Sequence, residues 1–193
     1  EVGAGLPTAM TIASRDADYA EQLAHDFSTP VFRAYTSTDI VGVEVGGAVK
    51  NVLAIGAGLS DGLGFGANSR IALITRGLVE ITRLGLALGA RPETFSGLAG
   101  VGDLITTSVS PHGRNRTAGA RIGGGATMND VLADSSAVIE GIPTTQAVLK
   151  LAEKYGVEMP ITTAVYQVLF QGKPPLVAIT ELMNRPPKPE HCA

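Results

Sequence analysis

The least polar part of the chain holds a single cation. In GGAVKNVLAIGAGLSDGLGFGAN, residues 46–68, Lys50 and Asn51 are the only strongly polar side chains between Val45 and Leu59. A lysine taken out of water has its pKa lowered from ~10.4 and then exchanges protons near neutral pH, the property a general acid or base needs. A lysine that lays its stem on apolar surface and sends its ammonium to water has no such role, and composition alone leaves both readings open. Asn51 either binds a substrate hydroxyl or sits on a helix surface. Asp103, in AGVGDLITT, is a lone carboxylate in an apolar, glycine-flanked stretch. It reads as a helix cap, or as a group that orients Lys50 or accepts a hydrogen bond from a substrate hydroxyl.

Two further segments carry polar groups. HGRNRTAGARIGGG, residues 112–125, opens a short helix on Arg114, Asn115 and Arg116. Backbone N–H groups at a helix start together with a guanidinium form an anion site that suits phosphate; a solvated basic turn is the alternative. SSAVIEGIPTT, residues 135–145, places Glu140 just before a helix opened by Pro143, and alone it says little. The glycines of GLGFGA, residues 62–67, meet the loose form of a dinucleotide fingerprint, but that fingerprint needs a preceding strand, and the preceding segment reads as helix. They read instead as a tight helix-to-helix connection where backbones approach closely. Gly172-Lys173 is followed by Pro174, so it is no phosphate-binding P-loop.

The elements that must position these groups fall into two parts. TAMTIA (Thr8 to Ala13) reads as a strand and VFRAY (Val31 to Tyr35) as another. Between them, Tyr19, Leu23 and Phe27 lie on one face of an amphipathic helix. Two strands make a marginal sheet, so residues 1–37 are expected to be the remnant of a larger nucleotide-binding α/β domain. Residues 38–185 read as a helical domain. Its first helix is long and nearly all apolar, from Asp39 to about Leu59, as a buried central helix is. Asn68 and Ser69 are candidate caps of the next, which carries Ile71, Ile74, Leu78, Ile81 and Leu88 on one face and Arg76, Glu80 and Arg83 on another. Gly89 stops it and Pro92 opens a new turn. Further helices are expected over 116–122, 144–155, 162–170 and 175–184, with a frayed tail over 186–193.

Composition excludes several classes. Across 193 residues, 45% hydrophobic and 17% charged content is that of a globular protein. A net charge of −3 argues against a nucleic-acid or membrane-surface binder. The single Cys192 offers no disulfide framework and suits a reducing, cytoplasmic setting. His25, His112 and His191 are scattered, without spacing for a metal site. The uninterrupted apolar run Val52 to Leu59 is far short of the ~20 residues of a membrane span. The chain opens on Glu1, as a fragment or a processed product would.

Taken together, GAVKNVLAIGAGLSDGLGFGAN, GLAGVGDL, RNR and the VIEG-I-P-T-T segment resemble, in the same order, the NAD(P)-dependent glycerol-3-phosphate dehydrogenase family of bacteria. The resemblance covers essentially the whole chain but only the C-terminal part of such an enzyme. It implies a mainly helical substrate-binding domain of the 6-phosphogluconate dehydrogenase-like type, preceded by a strand-helix-strand remnant of a Rossmann domain. It implies reversible hydride transfer between NADH or NADPH and dihydroxyacetone phosphate, giving sn-glycerol 3-phosphate for glycerophospholipid synthesis, in a cytoplasmic homodimer. Lys50 would be the proton acceptor and donor. Asn51 and Asp103 would line the substrate site, and Arg114 and Asn115 would bind the substrate phosphate. Arg114, Val138 and Glu140 would contact NAD or NADP. Gly113 stands where the family usually has serine, so one hydroxyl contact is replaced by a backbone N–H. No metal is implied, and the 193 residues alone are expected to be inactive. Another dehydrogenase of the 6-phosphogluconate type and a non-catalytic helical interaction module are the alternatives.

Overall fold

Following Pro7 and Pro30, β-branched and aromatic residues form two strands, β1 (Thr8–Ala13) and β2 (Phe32–Ser37, two residues beyond the expected end at Tyr35), which pair in parallel with Thr8 beside Phe32 and Ala13 beside Ser37. The computed structural model describes residues 1–135, 137–187 and 189–190. A parallel pair needs a crossover, and α1 (Ala17–Phe27) supplies it. Its first turn is capped by Asp16, whose carboxylate accepts the Tyr19 N–H at 3.1 Å. The anticipated helix is present, but its expected apolar face is not covered: Tyr19 and Phe27 are exposed and only Ala20 is buried. Two strands offer too little sheet to pack both flanks of the helix.

The remainder is helical and is built around α2 (Ile40–Gly62). Asp39 makes the joint between β2 and α2. Its buried carboxylate accepts the Gly42 N–H at 2.9 Å, the Arg91 N–H at 2.8 Å and the Thr94 hydroxyl at 2.6 Å. Burial alone would raise its pKa; these hydrogen bonds and the Arg91 charge outweigh that and hold it below the ordinary carboxylate value. Every residue of 49–60 except Lys50 is buried. Among the described residues α2 is the one helix long and apolar enough to cross a membrane by length and composition, beyond the shorter run Val52 to Leu59. Here its flanks are covered by protein.

Around α2 stand α3 (Ala67–Ala87), α4 (Pro92–Phe95), α5 (Asp103–Val109), α6 (Arg114–Gly123), α7 (Met128–Ala133), α8 (Gly141–Tyr155), α9 (Pro160–Gln171) and α10 (Pro175–Met183). A π-helical turn, Leu98–Gly102, runs directly into α5. Neither α5 nor α7 was anticipated as a helix, and α6, α8 and α9 each begin two or three residues earlier than expected. Asn68 and Ser69 do not cap α3: its N-cap is Gly66, and both lie inside the first turn. Gly156 ends α8 in the left-handed region at φ 65°, where a residue with a side chain is strained. Residue 188 and residues 191–193, with His191 and Cys192, lie outside the described residues. Within the expected tail, the Glu190 carbonyl accepts from Arg76 at 3.0 Å.

Glu80 departs furthest from its expected place. It is 2% exposed rather than on a polar face. Its carboxylate caps the start of α9, accepting the N–H groups of Ile161 at 2.6 Å and Thr162 at 3.1 Å and the Thr162 hydroxyl at 3.1 Å. A helix N-terminus has free donors, and a buried carboxylate has no other source of hydrogen bonds, so each satisfies the other. Ile71, assigned to the apolar face, is exposed, whereas Ile74 and Ile81 are buried as anticipated.

Candidate active site

Close backbone approaches to α2 bring the polar groups together. A Cβ on Gly46 would fall 2.3 Å from the Ala99 carbonyl oxygen, so only glycine lets the π-helical turn lie this near. One turn further along each segment stand Lys50 and Asp103. The Lys50 ammonium donates to Asp103 Oδ2, and the Thr107 hydroxyl donates to Oδ1 at 3.4 Å. Asp103 is therefore not a helix cap: Gly102 holds that position and the carboxylate turns to the lysine. The two side chains are 21% and 36% exposed, so the pair sits at the surface of the apolar core and a ligand has access to it.

The other side of α2 meets α6 in the same manner. A Cβ on Gly58 would lie 2.0 Å from the Arg116 carbonyl, and one on Gly119 would lie 2.1 Å from that of Ile55. Asn115, one turn before Gly119, thereby reaches Asn51, one turn before Ile55. Asn115 Nδ2 donates to Asn51 Oδ1 at 2.9 Å, and Asn115 Oδ1 accepts the Gly141 N–H at 2.8 Å. Asn51 Nδ2 donates to Glu140 Oε2 at 3.3 Å. Two buried amides and one carboxylate thus tie α2, α6 and the start of α8 into one network, with each polar group partnered as burial demands.

Gly113 is the N-cap of α6 and no side chain caps it, so first-turn N–H groups remain available. Arg114 is exposed beside them, and its Nη1 donates to the Val138 carbonyl at 3.0 Å. Arg116 points elsewhere, pairing with Asp61, which Arg70 also holds.

The structure thus forms two sets of contacts, Lys50 with Asp103 and Asn51 with Asn115 and Glu140, joined through the adjacent residues Lys50 and Asn51 of α2, while Arg114 contacts Val138. Asn115 was expected to face a phosphate; its side chain instead faces inward, because the close helix crossing aims it at α2. Thr107 was not singled out by the sequence; Arg116 entered only as part of the basic helix start and Asp61 only as part of the glycine-rich signature, neither with a role of its own. A carboxylate inside a glycine-rich run and the second arginine of Arg-Asn-Arg were the available signals. Two clefts bounded by β1 and β2 lie elsewhere, one near His25 and Arg33 and one near Thr94 and Leu98. They follow the uncovered strands, and neither is lined by Lys50. Among the described residues no group of three His, Cys, Asp or Glu side chains converges as a metal site would.

Residues 39–180 match the family described as the NAD-dependent glycerol-3-phosphate dehydrogenase C-terminus. The chain belongs to that family. A glycerol-3-phosphate dehydrogenase, NAD(P)+, of Geobacter sulfurreducens is 54% identical over 190 residues, 98% of this chain and 57% of that protein. One of Trichlorobacter lovleyi is 53% identical over 192 residues, 100% of this chain and 58% of that protein. The crystal structure of glycerol-3-phosphate dehydrogenase from Coxiella burnetii superposes with a TM-score of 0.92 at 42% identity, over 95% of this chain and 57% of that one. The chain therefore spans a little over half the length of these members of the glycerol-3-phosphate dehydrogenase family. This chain is mainly helical with a short strand remnant, and that fold is present within the Coxiella burnetii enzyme.

Proposed function

We propose that the chain is the substrate-binding and proton-transferring part of an NAD(P)-dependent glycerol-3-phosphate dehydrogenase. The observation that carries this is the Lys50–Asp103 pair, set one residue from an amide network that reaches Asn115 in the uncapped first turn of α6, next to the exposed Arg114. The division proposed is residues 1–37 as remnant of a nucleotide-binding domain, 38–185 as the helical domain and 186–193 as a tail.

Interconversion of a secondary alcohol and a ketone moves one hydride and one proton. NAD or NADP supplies or takes the hydride when bound. In the direction of oxidation Lys50 Nζ accepts the C2 hydroxyl proton of sn-glycerol 3-phosphate, and in reduction it returns a proton to the oxygen of dihydroxyacetone phosphate. Asp103 directs the lysine nitrogen and balances its ammonium form. Arg114 and the N–H groups of the first turn of α6 hold the phosphate, so the carbon to be oxidised is fixed relative to Lys50; the Gly113 N–H is already committed to the Ser110 carbonyl at 3.3 Å. Asn51 and Asn115 hold the two halves of the site in register.

The residues present fit a dinucleotide as one wall. The β1–α1 connection, Ser14 to Asp16, has no glycine for a pyrophosphate turn. Arg114, the Val138 carbonyl and Glu140 are exposed on one rim, where they would hold the reactive end of NAD(P). A homodimer in the cytoplasm without membrane insertion completes the reading, with α2 as a core helix.

The test is the full-length polypeptide carrying this chain, assayed by loss of NADH or NADPH with dihydroxyacetone phosphate. Lys50→Ala should lower kcat by about 10²- to 10⁴-fold, the usual weight of a general acid–base. Turnover close to wild type would refute the role of Lys50.

A further inference from the structure

In Arg114-Asn115-Arg116 the three side chains go three ways. Arg114 is exposed toward Val138, Asn115 turns inward to Asn51, and Arg116 runs back along α2. The Arg116 guanidinium makes two kinds of contact at once. Nε and Nη2 donate to Asp61 Oδ2 at 2.8 and 2.7 Å. Nη1 donates to the carbonyls of Ser110 at 3.2 Å and Val109 at 3.4 Å. Those carbonyls end α5, and the turn that follows them, residues 110–113, delivers Gly113 and Arg114.

Asp61 is itself fixed. Its other oxygen, Oδ1, is held by Arg70 Nη1 at 2.7 Å, and the side chain is 16% exposed. A carboxylate gripped from α3 cannot swing to water, so it presents one oxygen to Arg116 in a set direction. The planar fork of the guanidinium converts that direction into a place for the α5–α6 turn. A lysine would reach either Asp61 or the Ser110 carbonyl as a point charge, without coupling the two.

We propose that Asp61 is a positioning residue for the anion site, acting through Arg116 on the turn that carries Gly113 and Arg114. The assignment rests on the reading of Gly113 and Arg114 as the phosphate site. Asp61 touches neither substrate nor cofactor. It also neutralises Arg116, a second cation two residues from Arg114 that would otherwise compete for the same anion. Specificity for a phosphate at one place requires one exposed arginine without a carboxylate partner and one arginine committed to a carboxylate, and Asp61 makes that distinction.

The test uses the full-length polypeptide with Asp61→Asn, Arg116→Lys and the double variant, with Arg121→Ala as a control for an outward-facing ion pair on the same helix. KM for dihydroxyacetone phosphate and the inhibition constant of inorganic phosphate should rise together by about tenfold in each single variant, as a small misplacement of a binding group does. The kcat should stay within about threefold, because the proton-transfer pair is untouched. The double variant should be no worse than the worse single one. Arg116→Lys keeps charge and stem, so it carries the same test if Asp61→Asn does not fold. Additive effects, a fall in kcat at constant KM, or a lower KM from a released Arg116 would each overturn the proposal. Should the wild type fail to turn over, the functional reading fails, and calorimetric binding of inorganic phosphate to wild type and variants judges Asp61 separately.

Discussion

Replacing Gly119 by alanine tests whether the backbone contact between α2 and α6 builds the site. Alanine in a helix interior is intrinsically better than glycine by about 0.5–1 kcal/mol, so propensity alone favours the variant. The added Cβ, however, would lie 2.1 Å from the Ile55 carbonyl oxygen, 2.9 Å from its carbon and 3.0 Å from the Leu59 nitrogen. Ordinary contact begins at 3.4 Å, so the shortest approach is too close by 1.3 Å. All three atoms are backbone, and no rotamer change relieves them. Overpacking of this kind costs about 1–3 kcal/mol, which outweighs the propensity gain. A net loss of about 1 kcal/mol follows, a drop in Tm of roughly 2–4 °C for a chain of this size.

The same displacement acts on the site. Asn115 stands one turn from Gly119, and its 2.9 Å bond to Asn51 does not survive an opening of that size. Gly47→Ala is the matched comparison: the same substitution in α2, at a glycine with nothing within 4 Å of the new Cβ. It should stabilise by about 0.5–1 kcal/mol. Urea unfolding of both variants measures the pair, with unchanged m showing that only stability has moved. Opposite signs are expected from one chemical change. If Gly119→Ala proved as stable as Gly47→Ala, the close crossing would not hold the helices where the structure puts them, and the account of Asn51 and Asn115 would fall with it.

Two further outcomes can be checked. Burial pushes the Glu80 carboxyl above its ordinary value of 4.5, despite the hydrogen bonds from Ile161 and Thr162. The native state then takes up the proton more readily than the unfolded one, so the contribution of Glu80 to stability is full below pH 4.5 and is lost as pH rises through the raised value. Urea midpoints across that window should show a fall that Glu80→Gln lacks; parallel curves would exclude it. Asp39, held below 3.8, acts in the opposite sense, its contribution being lost as pH falls through the lowered value. Gly113→Ser should leave KM for dihydroxyacetone phosphate within about threefold or lower it, because the new Cβ meets the Thr107 carbonyl at 3.2 Å and needs only a small adjustment. A large rise in KM would count against the start of α6 as the phosphate site.

Much of the scaffold was legible in the sequence. β1 is bounded by Pro7 and Ser14, and the apolar, small-residue run from Asp39 reads as a buried helix, as the structure has it. Periodicity failed where a charge is buried or an apolar face is bare. Glu80 was placed outside because a carboxylate in a helix defaults to water, and only the start of α9, eighty residues later, gives it partners. Tyr19 and Phe27 were placed inside because the pattern records an apolar face without saying what lies against it. For the site, residue types suggested Lys50, Asp103 and Arg114, but their distances depend on Ala99 and Arg116 reaching glycines of α2. Contacts fifty residues apart through backbone atoms leave no periodic trace in side chains.

That backbone character explains how a helix of small residues can position a proton carrier. Gly46, Gly58 and Gly62 each admit a neighbouring carbonyl to a distance that any Cβ would forbid, and a Cβ on Gly141 would also be too close, 2.6 Å from the Asn51 carbonyl oxygen. Side chains in a packed core can exchange rotamers to relieve a misfit; two backbones in contact cannot. Polar groups set one turn away, Lys50 with Asp103 and Asn51 with Asn115, therefore inherit the rigidity of the crossings and need little additional packing around them. It follows that the site should be more sensitive to a methyl group at Gly46 or Gly119, neither of which bears chemistry, than the fold is to loss of Lys50 itself. The lysine is an end product of the packing, and the glycines of α2 and α6 are its cause.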